Sequence, residues 1–168
     1  MSAAYRKAIA LDPKFALPHI GMGNLLSCDG KTKEAIAEYR KSIELDPKYF
    51  QAHYNLGVCL SRLDKGEDAI DEFRKAIDLN PKYEMSHYSL GIVLAQEGKD
   101  EEAIAEFRKT IELDPNRSGA HNNLGFVLAG EGKTEEAIAE YRKAIELDPN
   151  NEKAKNNLGR ILERVGKN

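Results

Sequence analysis

Five prolines, at 13, 47, 81, 115 and 149, stand 34 residues apart, and each closes a Leu-Asx-Pro triplet from Leu11-Asp12-Pro13 to Leu147-Asp148-Pro149. Leu79-Asn80-Pro81 is the one triplet with Asn in place of Asp. A fixed 34-residue period is the signature of stacked helix-turn-helix units, each burying its apolar face against a neighbour rather than in a core of its own.

Two helices can be read in each period. In the second, Ala137, Ile138, Tyr141, Ala144 and Ile145 fall on one face of a 3.6-residue helix. Thr134 is placed to cap it, Glu135 and Glu136 sit where the helix dipole favours negative charge, and Pro149 stops it. The first helix runs through Ala120–Leu128 and is closed by Gly132 in a left-handed turn. Pro18 falls in the first turn of the equivalent earlier helix, where proline is tolerated. Charged residues on the second helices read as a solvated face, with pairs such as Arg142 and Glu146 four residues apart.

These residues carry a resemblance. Leu56-Gly57, Ala69, Phe73, Ala76 and Pro81 recur as Leu90-Gly91, Ala103, Phe107, Thr110, Pro115 and as Leu124-Gly125, Ala137, Tyr141, Ala144, Pro149. A looser copy has Met22-Gly23, Ala35, Tyr39, Ser42 and Pro47. Along essentially its whole length the chain resembles tetratricopeptide (TPR) repeats in an array of the prokaryotic type. The resemblance implies an all-α, right-handed superhelical solenoid of antiparallel helix pairs, used as a non-enzymatic scaffold for protein binding. Glycine and alanine would let paired helices approach, with the aromatic filling the adjoining space.

Ten helices are expected. Residues 1–15 read as a lone second helix, 16–49, 50–83, 84–117 and 118–151 as full repeats, and 152–168 as a lone first helix. Such a phase leaves apolar faces at both ends, Tyr5 and Ile9 at one and Leu158, Ile161, Leu162 and Val165 at the other. Head-to-tail self-association would rebuild a near-complete repeat, and contacts of that kind give filaments or closed rings. The alternatives are a fragment of a longer array, or a recruitment arm cut from a larger enzyme.

Little in the chain suggests chemistry. No nucleophile, Walker, Rossmann, zincin or EF-hand motif is present, and no cofactor is expected. His19, His53, His87 and His121 also recur every 34 residues, so they lie on successive helices, on the order of 10 Å apart, too far to share a metal ion. A packing role is the simpler reading; partly buried histidines could instead weaken the fold as they charge in acid. A net charge of −3 argues against nucleic acid, and no apolar run is long enough to span a membrane. Two cysteines, Cys28 and Cys59, make no disulfide framework, and with no signal peptide visible the reducing cytoplasm is the expected location.

In the resembling family a partner lies along a groove lined by the first helices. The matching residues here are Leu17, Ile20, Asn24, Gln51, Tyr54, Asn55, Val58, Met85, Tyr88, Ile92, Asn122, Asn123, Phe126, Lys153, Asn157 and Arg160. The bulky ones would form an apolar strip, and apolar exposure on that scale marks a binding surface. Asn55, Asn123 and Asn157 share one repeat position, an interrupted version of the asparagine ladder that grips peptide backbones in some relatives. The carboxylate clamp of chaperone-binding relatives is not expected, because Ile20, Met85 and Ser89 stand where its cations would be. Residues 152–168 carry Lys153, Lys155, Arg160, Arg164 and Lys167 against Glu152 and Glu163, a net +3. A protein or peptide with an apolar segment and an acidic end is therefore the expected partner. Gly21 and Gly23 within one helix should also make residues 17–28 open more readily than their counterparts.

Overall fold

A computed structural model describes residues 2–166. Among them are ten α-helices and no strand: α1 (Ser2–Leu11), α2 (Leu17–Cys28), α3 (Thr32–Leu45), α4 (Phe50–Arg62), α5 (Gly66–Leu79), α6 (Glu84–Gln96), α7 (Asp100–Leu113), α8 (Ser118–Gly130), α9 (Thr134–Leu147) and α10 (Glu152–Val165). The chain forms two compact units, one up to Ser86 and one from His87 onward. In the first, each helix from α1 to α4 packs on the next, and α2 also touches α4. In the second, α7 packs on α8, α8 on α9 and α9 on α10, while α8 also touches α10. This is an all-α solenoid of consecutively packed helix pairs.

The recurring sequence signals account for the recurring geometry. The first turns of α5, α7 and α9 carry two or three acidic residues each and that of α3 carries Glu34, matching the positive end of the helix dipole. At the other end the backbone leaves the helix at Asp46, Asn80, Asp114 and Asp148, with Asp148 at φ −137°, ψ 94°. The side chain of that residue then accepts a hydrogen bond from the backbone two positions on, as Asp46 Oδ1 does from Lys48 N at 3.0 Å and Asp148 Oδ1 from Asn150 N at 3.0 Å. Proline between the two needs no partner for its nitrogen, which is why Leu-Asx-Pro can end every second helix.

The turns from first to second helix are also alike. Lys31, Lys65, Lys99 and Lys133 each donate a backbone N–H to the carbonyl five residues back, at 2.8–3.1 Å. The residue before each lysine takes a left-handed conformation: Gly30, Gly98 and Gly132 at φ 75°, 72° and 75°, and Asp64 at 58°. Three of the four positions thus hold the residue for which that conformation is free of steric cost, and the fourth does not. Thr134 is the first residue of α9 rather than its cap: Lys133 occupies the capping position, and the Thr134 hydroxyl turns back to the Gly132 carbonyl at 3.4 Å. The exposed lysine–glutamate pairs within helices run at i, i+3, so it is Lys143, not Arg142, that reaches Glu146, at 2.7 Å.

Each second helix buries a small-aromatic-small column: Ala35, Tyr39, Ser42; Ala69, Phe73, Ala76; Ala103, Phe107, Thr110; and Ala137, Tyr141, Ala144. The aromatic ring lies flat against a glycine of the preceding first helix. A Cβ added at Gly23, Gly57, Gly91 or Gly125 would come within 2.6–2.9 Å of the ring of Tyr39, Phe73, Phe107 or Tyr141. At that distance no larger residue fits without moving the helices apart.

Candidate functional site

The first helices carry the candidate surface in both units. In the first unit Leu17 is 44% exposed, Asn24 and Gln51 are exposed, and Tyr54, Asn55, Val58 and Met85 are half-buried. Ile20, expected in the groove, is only 8% exposed and belongs to the core. Its neighbour Gly21 brings the Tyr5 ring close to α2, so the helix turns that position inward. Tyr54 sits in an aromatic cluster, edge-on to Tyr83 at 5.2 Å and tilted against Phe73 at 5.8 Å, with Phe50 5.1 Å from Tyr83. Such rings offer a rigid apolar surface, and Phe50 and Tyr83 were missed because they lie at repeat positions that flank the groove set.

Asn24 and Asn55 bond one another: Asn24 Oδ1 accepts both the Asn55 amide at 2.9 Å and the Tyr39 hydroxyl at 2.8 Å. Burial pushes the Tyr39 phenol well above its usual value, which keeps it a donor. One carbonyl thereby ties α2, α3 and α4 together, and these two asparagines shape the surface as much as they offer hydrogen bonds.

In the second unit the decisive residue is Phe126, 62% exposed on α8. It borders an apolar cavity of about 280 Å³ with Ile92, Ala95, Phe107, Asn123 and Val127. A polar cavity of about 370 Å³ on its other side is lined by Asn122, Asn123, Lys153, Asn156 and Asn157. A third, of about 330 Å³, brings Phe126 together with Asn157, Arg160 and Arg164. Asn122 is 7% exposed and so is a buried link rather than a surface contact. It accepts from the Asn157 amide at 3.1 Å and donates to Asn123 Oδ1 at 3.2 Å, and Asn123 donates to the Tyr88 hydroxyl at 3.3 Å. This relay aligns α10, α8 and α6, and the Arg117 guanidinium covers the Tyr88 ring at 4.4 Å from its centroid. Lys153 and Arg160 are exposed beside it.

On the α10 face expected to be apolar and exposed, Leu162 and Val165 are 42% and 49% exposed and Leu158 is half-buried. Ile161 is 5% exposed, packed beneath the helix against its own unit, and does not belong to that face. Tyr5 and Ile9 of α1 are half-buried.

The four histidines are buried, and each meets a glutamate nineteen residues on. The Nδ1 to carboxylate distances are 2.7 Å for His19–Glu38, 2.6 Å for His53–Glu72, 2.6 Å for His87–Glu106 and 2.7 Å for His121–Glu140. For His53 and His121, Nε2 faces a second acceptor, the carbonyl of Pro47 or Pro115, at 3.1 and 3.2 Å. The bond to Glu140 outweighs burial, and with help from the Pro115 carbonyl it holds the His121 imidazole above its usual value. Burial alone would raise the Glu72 carboxyl, but hydrogen bonds from His53 and Lys75 together hold it below the usual range. Charging His121 in acid therefore strengthens a contact; the expectation that acid weakens the fold through its histidines is reversed there. Among the described residues no three His, Cys, Asp or Glu side chains gather as a metal site, and no helix is long and apolar enough to cross a membrane.

Comparison with known proteins places this architecture. Residues 29–64, 93–132 and 127–166 match the family described as TPR repeat, and residues 50–83 match that described as Tetratricopeptide repeat. The chain belongs to the TPR family. Among solved structures, the crystal structure of MamA is 30% identical over 88% of this chain and 86% of that one, with a TM-score of 0.83. MamA 41-end from Desulfovibrio magneticus RS-1 is 22% identical over 90% of this chain and 85% of that chain, at 0.81. Pseudomonas aeruginosa PilF is 24% identical over 92% of this chain and 71% of that chain, also at 0.81. The last two likenesses concern the fold alone. No curated protein matches the chain in sequence. As a TPR array the protein is a protein-interaction scaffold, in a family that is generally non-enzymatic.

Proposed function

We propose that this TPR array is a non-enzymatic scaffold that takes an extended peptide or helix of a partner protein on its first helices, and that the partner pairs an apolar segment with an acidic end. The observation that carries the reading is Phe126, a large ring left 62% exposed beside the cavity of Ile92, Ala95, Phe107 and Val127. An exposed aromatic next to an apolar hollow of this size suits an inserted leucine or phenylalanine side chain. Lys153, Arg160 and Arg164 border the neighbouring cavities and favour a carboxylate there. Asn123 and Asn157 keep amide groups at the same surface for a peptide backbone. Exposed Cys28 and buried Cys59, both unpaired, support a cytoplasmic location.

The test is fluorescence anisotropy with a labelled peptide of alternating leucine and serine that ends in three glutamates, beside a version ending in three glutamines. The acidic peptide is expected to bind more tightly, and Phe126→Ala, or Tyr88→Ala, should weaken it more than about tenfold, ~1.4 kcal/mol. Equal affinity for both peptides would remove the acidic end from the reading. Binding unchanged by these aromatic substitutions would put the site elsewhere.

A second reading is self-association, favoured by the exposed Leu162 and Val165 on α10. It predicts a molar mass in solution that grows with concentration.

A further inference from the structure

The four aromatic rings buried at one position of the second helices are not alike: Tyr39 and Tyr141 carry a hydroxyl, Phe73 and Phe107 do not. Fifteen residues before each ring stands a groove residue of the same helix pair: Asn24 for Tyr39, Val58 for Phe73, Ile92 for Phe107 and Phe126 for Tyr141. Three of these pairs match chemically. Tyr39 donates to Asn24 Oδ1 at 2.8 Å, and the phenylalanines paired with Val58 and Ile92 have no hydroxyl to satisfy. Tyr141 is the exception. It is 2% exposed, its counterpart Phe126 has no acceptor, and its hydroxyl meets no hydrogen-bond acceptor among the described residues. A phenol in that state costs free energy that phenylalanine, used twice at the same position, would not.

Tyr141 lines the cavity of about 330 Å³ that also holds Phe126, Asn157, Arg160 and Arg164. One edge of its ring lies on Gly125. Burial pushes the phenol above its usual value and keeps it a donor, and the Arg160 charge, acting in the opposite direction, places the guanidinium near it. Neither arginine has an ion-pair partner among the described residues. Asp100, at the start of α7, is the one acidic group on the lining, so two guanidinium groups against one carboxylate give a net charge of +1. That balance suits a single carboxylate better than a phosphoryl dianion.

We propose that Tyr141, Arg160 and Arg164 form a seat for one carboxylate side chain of the partner, and that this side chain lies two residues from the apolar one held beside Ile92. The inference rests on the peptide-binding reading and specifies it. Phe126 borders both hollows, so its ring is the wall between the two side chains. In an extended peptide, residues i and i+2 point the same way and stand about 7 Å apart, enough to straddle one ring. A carboxylate in the seat supplies the acceptor that Asn24 supplies to Tyr39.

Fluorescence anisotropy on the whole chain compares labelled serine-rich peptides containing Leu-Ser-Glu, Leu-Ser-Gln, or leucine and glutamate separated by six serines. The first is expected to bind about tenfold more tightly than the other two. Tyr141→Phe should erase that preference and leave the affinity for the glutamine peptide unchanged. The variant folds, because Phe73 and Phe107 fill the same place, and it should melt no lower than wild type. Tyr39→Phe, which loses a bond already made, should melt lower. A Tyr141→Phe chain that melts lower than wild type would show that the hydroxyl is already satisfied and overturn the seat. A preference for glutamate that survives Tyr141→Phe, or that ignores the distance from leucine, would also overturn it, while the peptide-binding reading stood as long as Phe126→Ala weakened binding. Failure of all three peptides to bind would overturn both.

Discussion

Asp64 holds a left-handed backbone at φ 58°, where the three equivalent turns have glycine at 72–75°. The hydrogen bonds around it match theirs: Asp64 N reaches Ser61 O at 3.1 Å and Lys65 N reaches Leu60 O at 3.1 Å. The turn is therefore formed with its full set of bonds and a steric penalty. An L-residue with a Cβ in this region costs about 1–2 kcal/mol. Its carboxylate also sits just beyond the C-terminus of α4, where negative charge is unfavourable by ~0.3–1 kcal/mol. Against this, glycine loses more backbone freedom on folding, roughly 0.5–1 kcal/mol. Asp64→Gly should therefore stabilise by about 1 kcal/mol, or a melting temperature higher by roughly 2–4 °C for a chain of this size. Asp64→Asn, which relieves only the charge, should recover a minor part of the gain. Gly98→Ala, which installs the strain in an unstrained turn, should lose about 1 kcal/mol. Urea unfolding followed by circular dichroism reads all three. An Asp64→Gly chain no more stable than wild type would refute the reasoning and imply that the Asp64 side chain contributes as much as its backbone conformation costs.

Two further predictions concern pH and local opening. The raised His121 imidazole contributes stability that is complete below its usual value of 6.5 and is lost as pH rises through the folded-state value. The lowered Glu72 carboxyl contributes stability that is complete above 4.5 and is lost as pH falls through its folded-state value. Both hold between those limits, so the melting temperature should be higher at pH 6 than at pH 8.5, and Glu140→Gln should flatten the difference; a melting temperature that climbs over that interval would contradict the sign. In hydrogen exchange, α2, with Gly21 and Gly23 inside it, should lose protection sooner than α4, which has Gly57 alone, and slower exchange in α2 would show that the Tyr5 and Tyr39 rings against those glycines hold it shut.

Much of the fold was legible because it depends on contacts that recur in register. The resemblance implied small residues where paired helices cross and an aromatic beside them, and the structure shows which meet, Gly57 with Phe73 and Gly125 with Tyr141, while Leu-Asx-Pro marked every second-helix end. The histidine–glutamate ladder was equally available, since His-x18-Glu occurs four times, but each residue was weighed by itself: the histidines as packing residues and the glutamates as solvated charge. Ile20 and Asn122 were misplaced for a different reason. A repeat position fixes which helix carries a residue, but a small rotation of α2 or α8 decides whether a side chain at the groove margin faces in or out. Asp64 hid because aspartate is common in turns, and only the dihedral angle shows which turn residue bears the left-handed conformation.

The aromatic–glycine contacts join residues sixteen apart, the histidine–glutamate pairs nineteen, and the turn bonds five. Contacts this close along the chain close small loops, which favours rapid folding. During synthesis, α2 and α3 can lock through Tyr39 on Gly23 before α5 has left the ribosome. The structured portion then grows one helix pair at a time, each new pair covering the apolar face left by the one before it.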